Sequence, residues 1–339
     1  MLFDKQLLAG MAVVGLLATP AAAAENTVPD LSSSYKAAPE WGHLPNGRVW
    51  GSTSAVQTAP DGIHMWALDR CGASCAKSTD DPVLLFDGAG KLVAHFGGGM
   101  IINPHGLFVD KNNNVWVTDL FADEAAHKGV QVFKFSPEGK LLMTLGKAGV
   151  KGDGPDTFAA PADVAVAANG DIFVSDGHVA CNCPNSRIMK FSPDGKFIKQ
   201  WGKLGAGPGE FNDPHSLAID SKDRLLVADR ANNRIQIFDQ DGKFIAAWTQ
   251  FGRPSGLAVD NNDMLYAIDP DSTEEEGYGH NPGFKQGVWV GSAATGKIAG
   301  FIPNTVFETG EGVAADKAGN LYYAKVRAKV PGVYKFEKQ

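Results

Sequence analysis

The sequence predicts an all-β protein, a six-bladed β-propeller built from four-stranded antiparallel blades. Three observations predict it: a recurring unit, apolar–polar alternation within each unit, and turn-forming residues between the alternating runs. Each unit approximates x-G-L-x-V-D, a short polar turn, and a hydrophobic run that in all but the last unit ends in Asp. The six copies are residues 53–69 (the weakest), 104–119, 161–176, 214–229, 254–269 and 310–325.

Each unit accounts for two strands, and two more follow in the best copies. In the fourth unit these are 234–238 and 244–249, joined by the turn 239–242. A unit is therefore a four-stranded meander, and successive units begin 40 to 57 residues apart. Six such units are expected to close into a ring rather than form an open solenoid.

The chain ends at the third strand of its last unit, 332–336, so the last blade lacks an outer strand. The segment 34–48 precedes the first unit. We expect this segment to supply the missing strand, because that pairing joins the ends of the ring and removes an exposed edge.

The N-terminal residues 1–24 have the pattern of a signal peptide. Lys5 precedes an apolar run at 7–17, and Pro20 precedes an alanine-rich A-x-A end. We therefore expect an exported, periplasmic or secreted protein with one domain at 25–339 and no membrane contact after cleavage; a retained anchor is the alternative. The net charge of -7 predicts no nucleic-acid partner, and a monomer is expected.

Export makes the four cysteines disulfide candidates. They form two close pairs, and the bridges Cys71–Cys75 and Cys181–Cys183 are favoured among three connectivities. A metal site on these thiols is less favoured, because an oxidising compartment works against thiolates.

The second positions of the six units hold the candidate metal ligands. In order they are Ser54, His105, Ala162, His215, Ser255 and Glu311. The three that can bind a metal fall in alternate units, so a closed ring would bring them to its axis. Two imidazoles and a carboxylate can hold Zn²⁺ with a fourth position open, and iron or manganese would also suit them.

Residues that end the second strands should return to the same face, because these strands run antiparallel to the first. The residues beyond the repeated Asp include Arg70, His178 and Arg230. Arginine forms a planar fork that fits a carboxylate, and imidazole can move protons or bind a metal. These features predict a small-molecule or peptide substrate that bears a carboxylate. The two arginines could instead form inter-blade salt bridges, and the repeated Asp residues are predicted to accept turn amides.

The segment 227–248, VADRANNRIQIFDQDGKFIAAW, resembles the NHL repeat. That resemblance implies a propeller scaffold, which serves both enzymes and interaction modules.

A second resemblance rests on PHGLFVD, WVTD, DVAV, FVSDG, NSRI, KQWG, GPGEF, PHSLA and VADRANNRIQ. Together they are similar to peptidyl-α-hydroxyglycine α-amidating lyase, a six-bladed propeller with zinc in its channel that releases a peptide amide and glyoxylate. The resemblance implies His105 and His215 as zinc ligands and Arg70 and Arg230 as groups that hold the substrate carboxylate. It also implies that the carbonyl of Leu107 faces a structural calcium ion.

The chain departs from that family at two positions. Glu311-Gly312 stands where the family has a third zinc-binding His followed by a calcium-binding Asp, and His178 stands where it has a catalytic Tyr. Glu311 can replace the imidazole as a ligand or pair with Arg70 or Arg230. The alternatives to a metal-dependent lyase are a calcium-dependent lactone or ester hydrolase and a binding module without enzymatic activity.

Overall fold

The computed structural model describes residues 28–38, 41–178, 185–304, 310–326 and 330–339. These residues form six four-stranded antiparallel sheets, which confirms the predicted six-bladed propeller. The predicted signal peptide and the predicted Cys181–Cys183 bridge lie outside the described ranges. Within those ranges, no helix has the length and apolar character needed to cross a membrane.

The strands of blades 1 to 5 follow one another in the chain, from the axis outward. Blade 1 contains β2 (Thr53–Thr58), β3 (Met65–Asp69), β4 (Val83–Phe86) and β5 (Leu92–Phe96). Blade 2 contains β6 (Pro104–Val109), β7 (Val115–Asp123), β8 (Lys128–Phe135) and β9 (Leu141–Leu145). Blade 3 contains β10 (Pro161–Val166), β11 (Ile172–Asp176), β12 (Arg187–Phe191) and β13 (Phe197–Trp201).

Blades 4 and 5 repeat this order, and blade 6 completes the ring. Blade 4 contains β14 (Pro214–Ile219), β15 (Leu225–Asp229), β16 (Arg234–Phe238) and β17 (Phe244–Trp248). Blade 5 contains β18 (Gly256–Val259), β19 (Met264–Asp269), β20 (Gly287–Ser292) and β21 (Ile298–Pro303). Blade 6 contains β22 (Gly310–Ala315), β23 (Leu321–Lys325), β24 (Gly332–Lys338) and β1 (Tyr35–Ala38).

The N-terminal strand closes the ring as the sequence predicts. β1 pairs antiparallel with β24, with Tyr35 opposite Lys338 and Ala38 opposite Lys335. The innermost strands of neighbouring blades lie side by side all the way round, and β22 lies beside β2. The axis is therefore surrounded by the first strand of every blade.

The hydrophobic core consists of six clusters, each between two neighbouring blades. Trp66 and Phe135, for example, pack between blades 1 and 2, and Phe173 and Phe238 pack between blades 3 and 4. Because each sheet buries both faces, the second and third strands are almost wholly buried. Burial of one large apolar side chain contributes about 1.5–3 kcal/mol. Because the six clusters that contain these side chains lie between blades, the packing of neighbouring blades is the main source of stability.

The repeated Asp residues hold the connections between blades, as the sequence predicts. Asp176 accepts hydrogen bonds from the backbone N–H groups of Ala159 and Ala160, which lead into β10. It also pairs with buried Arg187, at 3.0 Å from Nε to Oδ2. Asp69, Asp119, Asp229 and Asp269 accept backbone N–H groups in the same way. Each therefore fixes the point at which an inner strand enters the channel wall.

Replacing Asp176 by Ala should lower the free energy of unfolding by about 3–5 kcal/mol, because buried Arg187 would lose its carboxylate partner and two buried backbone N–H groups would lose their acceptor. Denaturant unfolding measures the change. As the matched control, Asp194→Ala removes an exposed carboxylate that pairs with Lys196 and should leave the free energy of unfolding nearly unchanged. Equal losses in the two variants would contradict the assigned role.

Asp119 should make stability depend on pH. Burial raises its pKa to about 7, against the opposing effect of the N–H groups of Ile102 and Asn103. Between pH 4 and pH 7 the folded protein retains a proton that the unfolded chain releases. This residue's contribution to the free energy of unfolding should therefore fall as the pH rises from 4 to 7. The slope is at most about 1.4 kcal/mol per pH unit. Measuring the free energy of unfolding of Asp119→Asn and of the wild type over that range isolates the contribution of Asp119. Identical pH profiles of the two proteins would refute the raised pKa.

Candidate functional site

The second residue of the inner strand lies in a β-bulge in blades 1, 2, 3, 4 and 6. The strand pairing shifts register at Thr53/Ala55, Pro104/Leu107, Pro161/Asp163, Pro214/Ser216 and Gly310/Gly312. A bulge removes a residue from the regular alternation and re-aims its side chain. His105, His215 and Glu311 are all bulge residues, and all three line one cavity among the inner strands.

The imidazoles of His105 and His215 are oriented by the same hydrogen bond. The Nδ1–H of His105 donates to the carbonyl of Ala162, and the Nδ1–H of His215 donates to the carbonyl of Ser255, each at 2.7 Å. A carbonyl can only accept, so each neutral ring carries its lone pair on Nε2. Both Nε2 atoms are buried and have no hydrogen-bond partner in the described residues. Such carbonyl-anchored imidazoles are typical of metal ligands.

Burial keeps both histidines neutral. It lowers the pKa of His105 to about 4, although Glu311 opposes this shift. Burial, reinforced by the positive charge of Arg230, lowers the pKa of His215 well below its usual value. Both rings are therefore unprotonated at neutral pH, the state in which an imidazole binds a metal.

His178 completes a cluster of three imidazoles. Its ring centroid lies 4.9 Å from that of His105 and 5.0 Å from that of His215, and it is 5% exposed. One ring nitrogen from each histidine lies within 4.8 Å of the other two. His178 follows Gly177, which must be glycine because its φ is +146° and a Cβ there would collide with the carbonyl oxygen of Asn185. This turn brings the chain from the end of β11 to the axis.

Glu311 lies at the edge of this cluster, beside Arg70. Its Oε2 is 3.5 Å from a guanidinium nitrogen of Arg70 and 3.9 Å from Nε2 of His105. Arg70 also donates from Nε to the carbonyl of Pro104, at 3.0 Å. The structure thus brings the predicted Glu311 and Arg70 together, in the ion pair that the sequence offered as the alternative to metal binding by Glu311.

Arg230 approaches from the opposite side and is also paired. Its Nε donates to Oδ2 of Asp213 at 2.6 Å, and one terminal nitrogen donates to the hydroxyl of Ser255 at 3.3 Å. Arg230 and Asp213 are both buried, so each needs the other. The Ser255 contact places Arg230 beside the residue whose carbonyl holds His215.

The cavity among the inner strands has a volume of about 50 Å³, enough for an ion and a few waters but not for an organic substrate. Leu107, the residue implied for calcium, is among its lining residues. Gly312 offers no side-chain oxygen there. Asp163 is the nearby carboxylate, and it accepts hydrogen bonds from Ser216 and the backbone N–H of Leu217 at 2.9 Å each. Asp163 thus ties blade 3 to blade 4, and a calcium ion at the Leu107 carbonyl stays a prediction.

The predicted disulfide between Cys71 and Cys75 is present. It closes the loop that follows Arg70, and the N–H of Cys75 donates to the carbonyl of Ile102 at 2.8 Å. This loop therefore connects the arginine of blade 1 to the segment that enters β6 and carries His105.

Two neighbours of Arg230 were not predicted from the sequence. Arg253 is buried and donates to the backbone carbonyl of Arg230 at 3.1 Å, and Tyr278 lies over the Arg253 guanidinium at 4.8 Å. The hydroxyl of Tyr278 donates to Asp271 at 2.9 Å. Arg253 directly precedes Pro254, at the same place in its unit as the linker residues before the other inner strands. This position in the repeat could have indicated from the sequence that Arg253 lies near the channel.

The fold and this cluster define the protein as a six-bladed β-propeller with a candidate metal centre on its axis. The NHL repeat model matches residues 211–238. A gluconolactonase from Xanthomonas campestris has a similar fold, with a TM-score of 0.59 over 86% of this chain and 88% of that one, at 15% identity. This likeness shows the fold alone.

The chain resembles peptidylglycine-amidating enzymes in sequence. It is 42% identical over 160 residues to the peptidylglycine α-amidating monooxygenase of Rattus norvegicus, covering 44% of this chain and 15% of that protein. It is 40% identical over 193 residues to peptidyl-α-hydroxyglycine α-amidating lyase 1 of Drosophila melanogaster, covering 53% of this chain and 32% of that protein. The match therefore spans less than a third of the length of either relative.

Replacing both Cys71 and Cys75 by Ser should lower the free energy of unfolding by about 2 kcal/mol, because the unfolded chain loses a short cross-link. Thermal unfolding under non-reducing conditions measures the difference. Adding a dithiol reductant to the wild type should produce a shift of the same sign, and the double variant should not respond to the reductant. A variant as stable as the oxidised wild type would contradict a stabilising role.

Proposed function

We propose that the protein is a metal-dependent lyase of the amidating type, acting on a substrate that carries a carboxylate beside a hydroxyl-bearing carbon. The observation that carries this proposal is the group of three buried imidazoles with Arg70 and Arg230 beside it. The relatives named for peptidyl-α-hydroxyglycine amidation, at about 40% identity, support the reaction class.

The residues on the axis fit a divalent metal. His105 and His215 present buried, neutral Nε2 atoms that lack hydrogen-bond partners in the described part of the chain, and either His178 or Glu311 can act as the third ligand. Zinc suits this set, and iron or manganese are alternatives. When bound, such an ion supplies Lewis-acid polarisation of a substrate oxygen.

The arginines bind the substrate carboxylate in this proposal. Arg70 contacts the Pro104 carbonyl at 3.0 Å and Glu311 at 3.5 Å, and these two contacts orient the guanidinium that an incoming carboxylate would meet. Arg230 stays fixed by Asp213 and can still present its remaining N–H donors. The cavity of about 50 Å³ is lined by His105, His215 and Glu311 but by neither arginine, so the substrate in this proposal approaches from the mouth of the channel, where the arginines lie.

The reaction needs one proton moved between two atoms of the substrate. The hydroxyl of the α-hydroxyglycine loses its proton as the carbon–oxygen double bond of glyoxylate forms. The carbon–nitrogen bond breaks, and the nitrogen gains a proton to become the peptide amide. Glu311 and His178 both lie beside His105, and the one that is not the third ligand can carry this proton.

We also propose that the protein acts outside the cytoplasm as a monomer, in the periplasm or as a secreted protein. The Cys71–Cys75 disulfide supports an oxidising compartment. A small-molecule or peptide substrate is its expected partner.

His105→Ala and His215→Ala should each abolish stoichiometric metal binding and lower the rate of glyoxylate release by at least about 100-fold, because each removes an oriented ligand. Elemental analysis and a glyoxylate assay with a peptidyl-α-hydroxyglycine measure the two effects. His95→Ala, which removes an exposed histidine on an outer strand, is the matched control and should change neither. Calcium as the sole bound metal would favour a hydrolase, and a metal-free wild type would favour a binding module.

A further inference from the structure

The three histidines occupy one arc of the ring rather than alternate blades. His105 belongs to blade 2, His178 follows the second strand of blade 3, and His215 belongs to blade 4. Glu311 belongs to blade 6 and Arg70 follows the second strand of blade 1, so they lie on the facing arc. The alternate-blade set of His105, His215 and Glu311 is therefore not the most compact arrangement of candidate ligands that the fold produces.

We infer that His178, rather than Glu311, is the third metal ligand, and that Glu311 is a positioning residue that holds Arg70. This inference rests on the metal-dependent function proposed above. The donor atoms of the three imidazoles lie within 4.8 Å of one another. Around one Zn²⁺ with bonds of 2.0–2.1 Å, tetrahedral ligand nitrogens are separated by about 3.3 Å, so modest side-chain movements would close the set.

The surroundings of Glu311 favour its second role. Its carboxylate lies against Arg70, and both side chains are only slightly exposed. Binding a metal would draw the negative charge of Glu311 away from this guanidinium. Arg70 is already oriented by the carbonyl of Pro104, so Glu311 and Pro104 together fix the direction of its donors.

The inferred ligand set also determines the side from which substrate would approach. Three ligands from blades 2, 3 and 4 leave the open coordination position toward blades 6 and 1, where Glu311 and Arg70 lie. Three neutral imidazoles leave the full double positive charge of the ion uncompensated by any ligand, whereas a carboxylate ligand would halve it. An imidazole-only centre would therefore place the charge of the ion and that of Arg70 on the side from which an anionic substrate approaches.

Metal content and ligand counting test the inference without reference to activity. With zinc, His178→Ala should bind the metal at least about 10-fold more weakly, because a ligand is lost. Glu311→Gln should still bind one zinc per chain, with Kd within about 3-fold of the wild type. X-ray absorption should count three imidazoles in the wild type and in Glu311→Gln. His95→Ala serves as the control, and a thermal melt of each metal-free variant establishes that it is folded.

The opposite pattern would overturn the inference: two imidazoles and a carboxylate in the wild type, or zinc lost in Glu311→Gln and kept in His178→Ala. The wild-type ligand count needs no variant, so it decides the matter even where His178→Ala fails to fold. The glyoxylate assay separates the two proposals. Three imidazole ligands without glyoxylate release would support the inferred ligand set and overturn the lyase function. Glyoxylate release with Glu311 as a ligand would support the lyase function and overturn the inferred ligand set.

Positioning by Glu311 has its own readout. In Glu311→Gln, the KM for a carboxylate substrate should rise by about 10-fold or more while zinc stoichiometry is kept, because Arg70 loses its charged partner. An unchanged KM would overturn the positioning role. Glu311→Asp, which restores the charge on a shorter side chain, should recover part of the lost affinity, and no recovery would also count against it.

Discussion

The hydrogen bonding between β1 and β24 closes the ring, and every contact on the axis depends on that closure. Each blade packs only against its two neighbours, through the six clusters that separate adjacent sheets. No blade by itself brings His105 near Glu311, since 206 residues separate them in the chain. Only when blade 6 is complete, and lies against blade 1, do the inner strands surround a common axis.

Closure alone would not aim the side chains correctly. In a regular strand, residues alternate between the two faces of a sheet, and both faces of each blade are buried against its neighbours. The bulge at the second residue of the inner strand takes one side chain out of this alternation and turns it toward the channel. In blades 1 to 4 the repeated Asp then fixes the backbone just before that bulge, so the scaffold of the fold also supports His105 and His215.

The electrostatics of the axis are unusual because imidazoles and guanidinium groups share a buried space. Burial and nearby arginines keep His105 and His215 neutral. Asp213 and Glu311 compensate Arg230 and Arg70, so each positive group next to the imidazoles has a carboxylate partner. In the proposed function, a metal cation binds at the imidazoles and a carboxylate anion at the arginines, two charges that attract each other.

The sequence by itself determined the number of blades, the bounds of most strands, the closing strand and the roles of the repeated Asp residues, because these depend on local alternation and on turn chemistry that repeats. It also identified His105, His215, Arg70 and Arg230 as residues that would meet, since their positions within the repeat imply a common face. Only the tertiary structure decided which third group lies within 4.8 Å of both histidines. That choice depends on the sharp turn at Gly177 and on the Arg70–Glu311 contact, and both arise between segments that no local pattern relates.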